Sequence, residues 1–198
     1  MRRFFVVLVV LVTAFLAGCA APNIVSSVTV FHSLSGSESN KTYMVEATPE
    51  QANNLEFNSY VTVLNQELQR HGFAIVNKDP VLKVNLKYGT TPTVSSTMEP
   101  VPFNGFYGFG YGYGYGYGYG YAPYPAWQTA VDTVYMHQME VSINQAADGK
   151  NIYSVRTRLL SASPELSQSM GYLIESAFQN FPGKNGSTET VSLPPHPQ

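Results

Sequence analysis

Hydrophobic and polar residues alternate along several stretches of the chain, with the period of two that a half-buried β-strand requires. The predicted strands cover residues 28–34, 42–47, 73–76, 82–88, 133–143 and 153–159. The last two strands are separated by Asp148-Gly149, a dipeptide that favours the tight turn of a β-hairpin. The pattern therefore predicts about six strands.

Two other segments place their apolar residues on one helical face. The stripe of the first helix consists of Phe57, Val61, Leu64 and Leu68. The stripe of the second helix consists of Leu166, Met170, Leu173, Ile174, Ala177, Phe178 and Phe181. The first helix begins either at Thr48, which has Gln51 at the capping-box position, or at Asn53-Asn54. Ser163 is the expected N-cap of the second helix.

These elements follow the order strand, strand, helix, strand, strand, insert, strand, strand, helix. Because alternating strands bury one face, we expect an α+β fold with a mostly antiparallel sheet of about six strands and both amphipathic helices packed on one face. Residues 28–183 form the single predicted domain. Residues 184–198 are rich in Gly, Ser and Pro, and we expect them to be a flexible tail.

The insert, residues 100–131, is of low complexity and contains no charged residue. Tyrosine and glycine alternate strictly from Tyr111 to Tyr121, and such a segment has a high backbone entropy and no defined strand register. One interpretation is an adaptable contact arm, because each tyrosine presents a flat ring and a hydroxyl. The residues of that arm are Tyr111, Tyr113, Tyr115, Tyr117 and Tyr119. The other interpretation is a passive expansion of a hairpin loop.

Composition excludes several classes of protein. Lys and Arg number 11 against 13 Asp and Glu, so the formal net charge is −2, which argues against the clustered basic surface of a nucleic-acid binder. A single cysteine excludes an internal disulfide and a cysteine-rich metal site. We therefore expect no nucleic-acid partner, and the sequence indicates no cofactor and no metal.

The single cysteine lies at the end of an N-terminal targeting segment. Two arginines precede an uncharged apolar run over residues 4–16, which is too short to span a bilayer and is typical of a secretory signal. The sequence Leu-Ala-Gly-Cys that ends at Cys19 resembles the lipobox of bacterial lipoproteins. The resemblance implies a signal peptide over residues 1–18, a diacylglyceryl thioether on Cys19 and a lipidated tether over residues 19–27. The alternative is an ordinary signal peptide with a chance cysteine.

The residue after the cysteine bears on location. Ala20 stands where aspartate would resemble the inner-membrane retention signal of enteric bacteria, which favours the outer membrane. We expect the lipid to hold the protein there, facing the periplasm, since two or more acyl chains give stable anchoring. The inner membrane and the cell surface are the alternatives. The expected partners are the membrane itself and envelope proteins, peptidoglycan or other glycans.

No constellation of residues predicts catalysis. His32 and His137 lie on apolar strand faces and could meet across a sheet as a two-histidine metal or acid–base site, although a satisfied core or edge histidine is the simpler interpretation. The chain has neither a Gly-x-Ser-x-Gly elbow nor two acids close enough to act as a pair. Arg156 and Arg158 share one strand face, which is either solvated or a small anion-binding patch.

Several motifs together resemble one bacterial family. They are Thr42-Tyr43, Leu68-Gln69-Arg70-His71-Gly72-Phe73, the strand from Leu82 to Tyr88, the Asp148-Gly149-Lys150 turn and Phe181-Pro182. With the lipobox, they look like the bacterial lipoproteins grouped as domain of unknown function 4136, over nearly all of residues 19–183. That family commonly has Trp-Arg-Gly after the hairpin turn, whereas this chain has Tyr153-Ser154-Val155-Arg156. The resemblance implies an aromatic, glycine-rich insert and no assigned activity.

Two functions fit these observations. The first is a lipid-anchored envelope protein with a binding or structural role, which would use its exposed sheet face or its aromatic insert. The second is an envelope hydrolase or metal-dependent enzyme with dispersed site residues, in which His32 and His137 would act with Asp132 or Glu46. The first is favoured because the chain has no recognisable catalytic constellation.

Replacing Cys19 with alanine removes the thiol that would carry the acyl chains. We expect Cys19→Ala to release the protein from the membrane fraction or to leave it as an unprocessed precursor. Metabolic labelling with a fatty acid, followed by fractionation, measures the outcome. Acyl label that persists on the variant would contradict the prediction.

Overall fold

The computed structural model describes residues 22–34, 41–100 and 127–195. Its strands are β1 (Ile24–His32), β2 (Thr42–Glu46), β3 (Ala74–Ile75), β4 (Leu82–Pro100), β5 (Trp127–Gln145), β6 (Asn151–Ser161) and β7 (Ser187–Leu193). Its helices are α1 (Leu55–Arg70) and α2 (Ser167–Phe178). The strands form one seven-stranded sheet in the order β3-β2-β4-β5-β6-β1-β7. The α+β class is therefore confirmed, with one strand more than expected.

The sheet is mixed, so the expectation of a mostly antiparallel sheet is wrong. β2 runs parallel to both of its neighbours, β3 and β4, whereas the strands from β4 to β7 across the sheet pair antiparallel. The reason is α1, which lies between β2 and β3 and carries the chain back to the end of the sheet where β2 began. Alternation of residues within a strand contains no information about this direction.

α1 begins at the second of its two predicted starts. The Asn54 side chain caps the helix by accepting hydrogen bonds from the backbone N–H groups of Glu56, at 2.8 Å, and Phe57, at 3.1 Å. Thr48 and Gln51 do form the reciprocal hydrogen bonds of a capping box, at 3.0 and 3.3 Å. These bonds close an isolated turn ahead of the helix.

Gly72 ends α1. Its φ of 81° lies in the left-handed region, which glycine adopts without a steric penalty. The Gly72 N–H donates to the Gln69 carbonyl and the Phe73 N–H donates to the Leu68 carbonyl, both at 3.0 Å, which is the bonding pattern of a Schellman motif. This turn directs Phe73 back into the core.

The C-terminal segment is not a loose tail, and that expectation is wrong for residues 187–193. These residues form β7, which pairs along β1 and buries Val191 and Leu193. The strand was missed because only these two apolar residues mark it. β1 and β5 also begin earlier than expected, so the sheet takes in part of the predicted tether and of the predicted insert.

Both helices cover the same face of the sheet, as predicted. α2 packs against β6, β1 and β5, and α1 packs against α2. The buried helical residues of the hydrophobic core are Phe57, Tyr60, Leu64, Leu68, Met170, Leu173, Ile174, Ala177 and Phe178. Val61, Leu166 and Phe181, also predicted for these stripes, are partly buried at the margin of the core.

An aromatic cluster joins the ends of both helices to the sheet. The Phe181 ring centroid lies 5.0 Å from that of Tyr153 on β6. It also lies 5.1 Å from His71 and 5.7 Å from Phe73, at the end of α1. Phe178 lies 6.4 Å from Tyr153 and 6.0 Å from His71. These five residues, the aromatic cluster, bring together two family motifs that are far apart in the chain.

Phe178 is fully buried in this cluster, whereas Phe31, on the other side of the sheet, is 58% exposed. We expect Phe178→Ala to lower the free energy of unfolding by about 3–5 kcal/mol, because it removes buried surface and leaves a cavity. Phe31→Ala is the matched control and should change it by about 0.5 kcal/mol or less. Urea denaturation measures the free energy of unfolding of both variants. Equal decreases would contradict the assignment of Phe178 to the core and of Phe31 to the surface.

Candidate functional site

His32 and His137 do not come together. His32 pairs with Tyr153 on β6, whereas His137 pairs with Leu159 from the other side of the same strand. The distance along β6 between these two partners is about 20 Å at the usual rise per residue. The hypothesis of a two-histidine site is therefore wrong, because the register of β1, β5 and β6 keeps the two side chains apart.

Each of the two histidine rings makes a structural hydrogen bond. The buried His137 Nε2 lies 3.0 Å from the Ser163 carbonyl oxygen, which can only accept, so Nε2 donates. In the neutral ring, Nδ1 then accepts from the Thr90 hydroxyl at 2.8 Å. His32 Nε2 lies 3.2 Å from the Gly183 carbonyl oxygen. His137 is thus a satisfied core histidine.

Tyrosine hydroxyls on the helix-covered face are packing groups too. Burial raises the pKa of Tyr43 to about 12, and its hydroxyl donates to Asn65 Oδ1 at 2.8 Å. Burial also raises the pKa of Tyr60 and of Tyr153. These phenols stay neutral at any physiological pH, because even an unperturbed tyrosine has a pKa of about 10.

Neither of the two described helices lies on the opposite face of the sheet, and polar side chains form a band across the middle of that face. We call Lys87, Gln138, Glu140, Arg156 and Arg158 the basic shelf. The strand register places Lys87 opposite Glu140, and Glu140 opposite Arg156. Gln138 and Arg158 form a second, adjacent pair. All five residues line one shallow depression of the open face.

The basic shelf carries more positive than negative charge. Arg156 donates from Nε, at 3.2 Å, and from Nη2, at 2.6 Å, to the same carboxylate oxygen of Glu140. Lys87 and Arg158 have no ion pair with another described residue. Three cations therefore face one acid, on a chain whose formal net charge is −2.

Small residues keep the shelf open at both sides. Gly89 pairs with Gln138 and projects no side chain beside it. Thr29 pairs with Arg156, and its hydroxyl lies 2.9 Å from that of Thr188 on β7. An open polar surface of this kind fits an extended polymer better than a small ligand, which proteins usually enclose in a concave, mostly apolar pocket.

Two other predicted sites, Cys19 and the tyrosine arm, lie outside the described residues and stay predictions. The residues of that arm are Tyr111, Tyr113, Tyr115, Tyr117 and Tyr119. Within residues 22–34, 41–100 and 127–195, no group of His, Cys, Asp and Glu could hold a metal ion. No helix in those same ranges is long and apolar enough to cross a bilayer.

Part of the shelf was visible in the sequence. Arg156 and Arg158 alternate with apolar residues along the chain, so the sequence alone predicts that they share one strand face. Lys87 and Gln138 were not joined to them, since the pairing of β4, β5 and β6 decides which alternating residues become neighbours. The only signal was that each lies on the polar side of its own strand.

The model of one family matches residues 28–183, and its description is Domain of unknown function (DUF4136). The chain belongs to this family. The matched range is the predicted domain, so the resemblance noted from the sequence motifs is confirmed. Curated proteins give no match.

Two solved structures are similar to the DUF4136 chain. A PDZ domain protein from Parabacteroides distasonis is 12% identical with a TM-score of 0.52, over 86% of this chain and 40% of that one. A PelC dodecamer from Paraburkholderia phytofirmans is 11% identical with a TM-score of 0.41, over 77% of this chain and 93% of that one. The chain thus spans less than half of the Parabacteroides protein, and that likeness shows the fold alone.

The two hydrogen bonds of His137 give a prediction about stability. His137→Leu places an apolar side chain of similar size in the core and leaves the Ser163 carbonyl without its donor. This change should lower the free energy of unfolding by about 1–3 kcal/mol. Thr90→Val removes only the second hydrogen bond. In a double-mutant cycle by urea denaturation, the two changes should couple by about 1 kcal/mol. Strict additivity would mean that the Thr90 bond contributes nothing.

Proposed function

We propose that this protein is a lipid-anchored protein of the bacterial cell envelope that binds an anionic glycan, peptidoglycan in the first place, on the basic shelf. The observation that carries the proposal is the excess of positive charge on an open, flat sheet face. The lipid on Cys19 would hold the domain at the outer membrane, facing the periplasm. Both parts extend the family assignment, which brings no activity with it.

Charge and shape favour a polymer as the ligand. Peptidoglycan carries carboxylates at intervals along an extended chain, so that Lys87 and Arg158 could each contact a different one. Arginine suits this role because its planar guanidinium donates two parallel hydrogen bonds to a carboxylate. Gln138, between them on the shelf, offers an amide that both donates to and accepts from sugar hydroxyls.

The alternative function, an envelope hydrolase or metal-dependent enzyme, no longer has a specific observation in its favour. It needed His32 and His137 in one site, and the strand register separates them. On the shelf, the one acid, Glu140, is engaged by Arg156, an arrangement that orients both side chains without leaving a free base. We therefore propose a role in binding and not in catalysis.

Reversing the charge of Arg158 tests the proposal. Exposed ion pairs contribute up to about 1 kcal/mol, which corresponds to roughly a fivefold change in affinity. We expect the full-length Arg158→Glu variant in detergent to bind isolated peptidoglycan sacculi roughly fivefold more weakly at low salt. The difference should shrink as the salt concentration rises.

Lys150→Glu is the matched control. It makes the same change in net charge, but Lys150 lies in the turn between β5 and β6, away from the shelf. Its binding to sacculi in a sedimentation assay should stay near that of the unaltered protein. Equal weakening by both variants would reduce the effect to net charge, and no weakening by either would exclude the shelf as the glycan site.

A further inference from the structure

The hairpin of β4 and β5 continues well beyond the rest of the sheet. β6 ends at Ser161, which pairs with Tyr135, and no described strand flanks the hairpin further out. We call residues 93–100 and 127–134 the ribbon, since they pair only with each other. At the usual rise per residue, the ribbon extends about 25 Å past the sheet.

The ribbon is amphipathic. Among the ribbon residues whose burial the structure describes, the exposed large hydrophobic ones are Val94, Met98 and Val131, which are 73%, 77% and 64% exposed. Residues opposite each other in an antiparallel pair share a face, and Val131 pairs with Ser96, between Val94 and Met98. These three residues therefore lie on one face, which also carries Ser96, Thr129 and Thr133 and which we call the apolar face of the ribbon. The other face includes Ser95, Asp132 and Glu99.

The topology places this ribbon at the anchored end of the sheet. β1 begins there, because Ser26 pairs with Leu159 near the end of β6, and Ser161 of β6 pairs with Tyr135 at the base of the ribbon. The start of β1 and the base of the ribbon are two strand spacings apart, about 10 Å. Two further exposed hydrophobic residues, Val25 and Leu160, lie at this end on the open side of the sheet, away from the side that carries Val94, Met98 and Val131.

The tether is shorter than the ribbon. The residues from Cys19 to Ile24 span at most about 18 Å when fully extended. The ribbon extends about 25 Å past the level at which β1 begins, which is more than the tether allows. The strands therefore cannot stand perpendicular to the bilayer, and the sheet tilts until the ribbon lies along the surface. A two-faced ribbon in that position lies on the surface, with its apolar side in the interface and its acidic side in water.

We propose that the apolar face of the ribbon, Val94, Met98 and Val131, docks on the lipid bilayer that carries the anchor. The inference rests on the proposed lipid at Cys19 and adds a second, non-covalent contact with the same membrane. The contact fixes the orientation of the domain, which a flexible tether alone leaves free. Because the ribbon has no basic residue, the docking is apolar and does not require anionic lipids.

Site-specific depth measurements in vesicles test this docking. The Cys19 thiol is consumed by the thioether of the anchor, so a cysteine introduced on the ribbon is the only free thiol in the mature chain. Full-length Met98→Cys and Val131→Cys would each be labelled with a fluorophore and reconstituted into phosphatidylcholine vesicles that contain nitroxide lipids. Ser95→Cys, on the opposite face of the same ribbon, is the matched control.

We expect the labels at positions 98 and 131 to be quenched at least twofold more than the label at position 95. Equal quenching at all three positions would overturn the docking. Quenching at position 98 that follows protein density and not nitroxide lipid would also overturn it, and would assign the face to a second copy of the chain. Vesicle flotation tests the anchor separately. If the protein floats without differential quenching, the anchor is supported and the docking is refuted. If the protein does not float, both are refuted.

Discussion

The sheet and the ends of both helices meet at one contact, the packing of Phe181 between β6 and the end of α1. Its ring meets Tyr153 on one side and His71 and Phe73 on the other, with centroid distances of 5.0 to 5.7 Å. Aromatic pairs at such distances add to the free energy of simple area burial. Because the contact joins the last helix to the first, it closes a core whose strands come from the whole length of the domain. The two family motifs around Gly72 and Phe181 therefore meet in one structural feature.

How far the sequence predicts this fold follows from what each pattern encodes. The stripe that contains Phe178 and the alternation through Val141 each report burial on one face, and both were correct. Strand direction and strand neighbours are long-range properties, so the parallel position of β2 was missed. The ribbon was missed as well, since the Thr- and Ser-rich residues 89–97 do not alternate in hydropathy. The sequence predicts only part of the basic shelf, because it places Arg158 on a polar strand face but does not show that Gln138 on β5 is its neighbour.

The sheet is asymmetric in two ways: its two faces differ, and its two ends differ. Among the described residues, both helices cover one face, so the proposed glycan site lies on the other face. The ribbon and the start of β1 share one end of the sheet, so the proposed membrane contact lies at that end. These two asymmetries have separate causes. The first follows from apolar residues at alternate positions of every central strand. The second follows from the eight residues, 93–100, by which β4 continues past Pro92, whose partner Tyr135 is the first residue of β5 to pair with β6.

Together the two asymmetries set the place of the proposed glycan site relative to the proposed anchor. Arg158 pairs with Ser27, three positions into β1 from Ile24. Those positions add about 10 Å to a tether of at most about 18 Å, so the shelf stays within about 30 Å of the lipid. Val94, Met98 and Val131 lie on the same side of their strands as the buried core residues, so a ribbon that docks on the bilayer by these residues turns the open face away from the membrane. In that orientation a polymer crossing the strands at the shelf runs parallel to the membrane plane, which is how a glycan layer next to a bilayer would be met.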